Sequence, residues 1–125
     1  MIKRIVAGLA GAISIGNGAV MLADSRFWFV CTPGVTDTGP FNPHFVQDVG
    51  LAFIVAGAGL IAKAWRATLW PAAMTGAAFL LAHGGLHLLI IAEGGSRQPL
   101  FDLALIVAPA LVALWAALPD REQKP

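Results

Sequence analysis

An all-α fold, an antiparallel bundle of four transmembrane helices, is predicted by three features of this 125-residue sequence. Hydrophobic residues make up 58% of the chain and charged residues only 12%, about half the charged share of a water-soluble domain. Four apolar stretches reach the roughly 20 residues needed to cross a bilayer core. The basic residues then cluster on alternate connections, as a serpentine membrane topology requires. The length suits a single domain.

The spans read as residues 5–23, 43–64, 71–92 and 99–118. The first follows Met1-Ile2-Lys3-Arg4, a start that could open a secretory signal. Met21 occupies a position where cleavage after Ala23 would want a small residue, so the stretch reads as a retained span. Asn42-Pro43 forms an N-cap followed by proline at the first helical position, and Pro71 can open the third helix likewise. Glu93-Gly94-Gly95 ends that helix, Ser96 offers a cap for the fourth, and Pro119 stops it. Pro109 falls inside the fourth span and should kink it.

Orientation follows from charge. Lys3, Arg4, Lys63, Arg66, Arg121 and Lys124 lie on one side, against Arg26 and Arg97 on the other. The positive-inside rule places both termini and the 63–70 turn in the cytoplasm, in a bacterial inner membrane. Trp65, Trp70 and Trp115 mark the cytoplasmic interface and Trp28 the opposite one. The long 24–42 connection carries Phe27-Trp28-Phe29 beside Arg26, which reads as an interfacial anchor or a short lid across the bundle mouth.

Several function classes fall away. The net charge of +1 and the lack of a basic run argue against a nucleic-acid partner. One cysteine, Cys31, permits neither an internal disulfide nor a thiolate cage. No nucleophile–base set, phosphate loop or dinucleotide fingerprint is present. Gly8, Gly11, Ala12 and Gly16 in the first span, with Gly50, Ala56, Gly57 and Gly59 in the second, suit close helix–helix approach.

The polar residues within the spans are unevenly placed. Asn17, His44, Asp48, His83, His87 and Asp102 all fall in the non-cytoplasmic half. At about 1.5 Å per residue, Asn17, Asp48 and His87 lie roughly 7–9 Å inside that end, with His83 a turn deeper and His44 a turn shallower. His44/Asp48 and His83/His87 are each four apart and share a helical face. If both faces turn inward, three imidazoles and a carboxylate converge. Such a set suits zinc, copper or iron better than calcium or magnesium. The candidate metal ligands are therefore His44, Asp48, His83 and His87, with Asp48 expected to face His87 and Asn17 to support a histidine from behind. A b-type haem between histidines on different helices, such as His44 and His87, is the rival cofactor. The simpler alternatives are interhelical hydrogen bonding by the histidines and a helix-dipole role for Asp48 and Asp102, or pairing of Asp48 with Arg26 or Arg97.

The segment from Pro40 to Gly50, PFNPHFVQDVG, followed by Ala82 to His87, AHGGLH, resembles small bacterial four-span membrane proteins whose activities are uncharacterised. The likeness implies the bundle and no particular activity. In size and span count alone the chain is also similar to DoxX-like membrane proteins. The polar cluster and the small-residue faces, and not the likeness, support three functional expectations: a metal-binding or redox-associated membrane protein, an accessory subunit packed against other membrane subunits or its own copies, or a small metal or proton transporter.

Overall fold

A computed structural model describes residues 1–120. The chain forms α1 (Ile2–Ala23), a short α2 (Ser25–Cys31), α3 (Pro43–Trp65), α4 (Trp70–Ala92) and α5 (Pro99–Ala117), with single 3₁₀ turns at Val35–Thr38 and Ala67–Leu69. Four of these helices are long and apolar enough to cross a membrane. The protein is thus a multi-pass membrane protein in architecture, and its exposed Leu, Ile and Val side chains face the lipid. α1 packs on α3, α3 on α4, α4 on α5, and α5 returns to α1, closing an antiparallel ring. The 24–42 connection marks what we term the loop end, and the 66–69 turn marks the turn end.

Local chemistry sets the helix boundaries. Asn42 Oδ1 accepts from the Phe45 amide at 3.2 Å, capping α3 as its Asn-Pro start predicts. Gly94 takes φ +73 just past α4, the left-handed conformation that ends helices at low steric cost. α1 starts at Ile2, ahead of the expected residue 5, so Lys3 and Arg4 belong to its first turn. The fourth span departs most from regularity. Its Leu103–Val107 segment is a π-helix, in which the Ala108 amide bonds back to the Leu103 carbonyl. Pro109 has no amide hydrogen and its ring crowds the preceding turn, and the helix answers with this wider turn upstream.

Glycine decides how close the helices come. A Cβ on Gly11 would stand 2.7 Å from the Gly57 carbonyl oxygen, and one on Gly57 would stand 2.6 Å from that of Gly11. Gly18 and Gly50 repeat this reciprocal contact two turns away, and between α3 and α4 Gly59 and Gly76 each meet an alanine carbonyl, that of Ala72 and of Ala56. In lipid, where burial of apolar surface supplies no driving force, such backbone approach is a main source of association. Gly16 lies apart from it, with open space where a Cβ would stand. α5 enters the ring through alanines instead: Ala113, Ala116 and Ala117 are fully buried with Ala7, Leu60 and Ala73.

At the turn end, basic side chains satisfy helix C-termini. Arg4 donates to the Ala64 and Trp65 carbonyls at 2.8 and 2.6 Å. Lys63, fully buried, donates to Ala116 and Leu118 at 2.7 and 2.5 Å. Lys3 reaches Leu118 and Pro119. Cations placed on unpaired terminal carbonyls gain hydrogen bonds and a favourable helix dipole.

Candidate functional site

Asp24 begins the polar architecture of the loop end. Its Oδ1 accepts from the Phe27 amide at 2.9 Å, capping α2, which packs against α1 and α3 at the loop end. Trp28 then points back: its Nε1 donates to Asn17 Oδ1 at 2.9 Å, while Asn17 Nδ2 contacts Met21 Sδ at 3.7 Å. Asn17 therefore fastens α2 to α1 and contacts no histidine through a hydrogen bond. Trp28 is half-buried against the bundle.

The candidate ligands fall into two separate groups. His44 and Asp48 pair with each other on α3 at 3.6 Å, with side chains 85% and 58% exposed, on the outer surface of the helix. His83 and His87 stay together on α4, their rings edge to face with centroids 4.9 Å apart. His87 Nδ1 lies 3.3 Å from Asp102 Oδ1 on α5, so its carboxylate neighbour is Asp102 and not Asp48. That approach does not meet hydrogen-bond geometry, and Nδ1 is left buried without a hydrogen-bond partner. Among the described residues, no group of three or more His, Cys, Asp or Glu side chains is placed to hold one metal ion. Arg97 pairs with Asp37 at 3.1 Å and Arg26 lies over the Phe41 ring, so neither is committed to Asp48.

Ser96 does not cap the last helix. Gln98 is the N-cap, without a side-chain bond. The Ser96 hydroxyl instead donates to Asp102 Oδ2 at 2.6 Å and accepts from the Gln98 amide at 3.2 Å. Asp102 is thus held from the loop-end surface by Ser96 on one oxygen and faces His87 with the other. On the opposite side of His87, His83 packs edge-on to Phe53, with centroids at 5.6 Å, and stacks near-parallel to Phe79 at 6.3 Å.

Next to this cluster, α1 and α5 diverge and leave a cleft of about 730 Å³, a volume typical of small-molecule sites. Trp28 and Thr32 roof it at the loop end. Ser14, Asn17 and His83 supply the polar part of its wall, and Phe53, Leu80 and Phe101 part of the apolar wall. The π segment and Pro109 form much of the α5 side. Exposed Leu9 and Ile13 on one rim and Leu105 and Val112 on the other leave it open towards lipid.

The chain matches no protein-family model, no curated protein and no solved structure. Its function must be argued from the site itself.

Two features of the site escape a sequence reading. Asp102 is visible as a loop-end carboxylate, but its position near a helix start gives it a sufficient local role, and nothing local points to His87. The cleft has one faint signal, Pro109 within an apolar span, because a distorted helix cannot pack flush along its whole length.

Proposed function

We propose that this protein binds a small lipid-soluble molecule within the outer half of the membrane, with His83 as the principal polar contact. The observation that carries the reading is a lipid-accessible cleft of about 730 Å³ with an imidazole in its wall. Apolar pockets with a few convergent polar groups are the usual form of small-molecule sites, and ionisable side chains inside spans are costly enough to signal function. His83 is held by Phe53, Phe79 and His87, and His87 is backed by Asp102 and Ser96. This support keeps the His83 ring oriented before a ligand arrives, which reduces the ordering cost of binding. The positive-inside rule assigns the cleft to the non-cytoplasmic half of a bacterial inner membrane, with α2 on that face.

The test is native mass spectrometry of protein released from native-membrane nanodiscs. A discrete small-molecule adduct on the wild type, lost in Ala104→Phe, which narrows the cleft, supports the reading. Identical spectra for the two proteins sink it.

A bound transition metal is the second reading, favoured by one observation: His87 Nδ1 is buried, unpaired and 3.3 Å from a carboxylate oxygen. Two such donors fall short of the three protein ligands that zinc sites ordinarily use, so a metal would need a further donor drawn in by rearrangement. Stoichiometric zinc, copper or iron in the purified protein, absent from His87→Ala, would favour this reading over the first.

A further inference from the structure

We propose that the ligand class of the cleft is an uncharged, single-chain amphiphile, lying parallel to the helices with its hydrogen-bonding head under α2. This rests on the binding reading above and adds the identity and orientation of what is bound.

Shape gives the first argument. The cleft wall runs along α1 from Asn17 to Val6, about 17 Å at 1.5 Å per residue, so it is an elongated slot along the membrane normal. Its volume is that of a drug-sized ligand, which suits one chain and not a two-chain phospholipid. Chemistry gives the second. Among the described residues, the wall contains no Lys, Arg, Asp or Glu. A carboxylate, phosphate or ammonium head would be desolvated there with no counter-charge to compensate it. Neutral hydroxyl or carbonyl heads, by contrast, find donors and acceptors in Ser14, Asn17 and His83.

Polarity along the slot fixes the direction. Ser14 and His83 lie at similar depth, roughly 13 Å from the loop ends of their helices, and Asn17 lies about 9 Å from its own. Towards the turn end, the α1 wall continues only through Ile13, Ala10, Leu9 and Val6. The head therefore belongs beneath Trp28, and the tail points to the turn end. Long-chain alcohols and alkyl or prenyl phenols and quinones have this form.

The experiment uses full-length protein carrying Trp65→Phe, Trp70→Phe and Trp115→Phe, in nanodiscs of one phosphatidylcholine, so that Trp28 reports on the cleft roof. A decyl-substituted benzoquinone, whose ring quenches nearby indole, is titrated in and then displaced by dodecanol, dodecanoate or dodecylphosphocholine. The expected result is saturable quenching, displacement by dodecanol, and at least tenfold weaker displacement by the two charged amphiphiles. His83→Leu should weaken quinone binding about tenfold, and Ala104→Phe should abolish saturation. Equal displacement by charged and neutral amphiphiles overturns the ligand class while leaving a binding site. Quenching that rises linearly and cannot be displaced reports only partition into bilayer, and overturns both this inference and the reading beneath it.

Discussion

Lys63 and Ala116 are joined across the bundle: the buried ammonium of one donates to the main-chain carbonyl of the other at 2.7 Å. The same lysine that contributes to the topological charge bias thus also closes the C-terminus of the last span. Lys63→Met keeps most of the apolar volume of the side chain but leaves the buried Ala116 carbonyl without this donor, while the Leu118 carbonyl retains Lys3. Each unsatisfied buried group costs about 1–3 kcal/mol. We expect lower thermal stability in detergent and faster amide exchange confined to the last turn of α5. Unchanged exchange there would show that the contact is dispensable.

The glycines of α1 make opposite predictions. Gly11→Ala forces a methyl group against the Gly57 carbonyl, and overpacking of a rigid contact costs about 1–3 kcal/mol. Gly16→Ala enters open space and should be neutral or stabilise the helix by up to about 1 kcal/mol, because alanine restricts the unfolded backbone. Melting temperatures of the two variants in one detergent should move apart. Equal shifts would contradict the assigned helix faces.

Asp102 and Asp48 are both loop-end carboxylates with a histidine neighbour, yet they should differ. Asp102 is held between Ser96 and His87 and its side chain is 14% exposed; Asp102→Ala removes the Ser96 acceptor and the carboxylate beside His87, at about 1–3 kcal/mol. The His44–Asp48 pair is mostly exposed, and such pairs contribute about 0–1 kcal/mol. Asp48→Ala should therefore be nearly silent in an unfolding assay. A larger loss at Asp48 would indicate that another chain covers that face of α3.

Topology can be read by labelling. With both termini cytoplasmic, Cys31, which is exposed, and a cysteine at Gln98 should react with a membrane-impermeant maleimide added to sealed cells. A cysteine at Thr68, placed in a Cys31→Ser background, should react only after the membrane is opened. The reverse pattern would invert the orientation.

How much of this was legible in the residues differs by level. The four spans, the Asn42 cap and the glycine-led packing follow from local signals: apolar length against bilayer thickness, an Asn-Pro start, and small residues on a helical face. Gly16 shows the limit, since a small residue permits close approach without stating which face meets a neighbour. The polar cluster in one half of the bundle was also visible, because alternating topology fixes depth. Its pairing was not. Asp48 and Asp102 lie at similar depth on different helices, and only helix rotation turns Asp102 towards His87 and leaves Asp48 outward beside His44. The sequence by itself determined how many helices cross the membrane and how deep each polar residue sits, since both depend on chain length and rise per residue. The tertiary structure alone decided which side chains meet, because helix rotation is set by glycine contacts between α1, α3 and α4 that no single segment encodes; it also turned the local distortion before Pro109 into a cleft, since that needs α1 alongside.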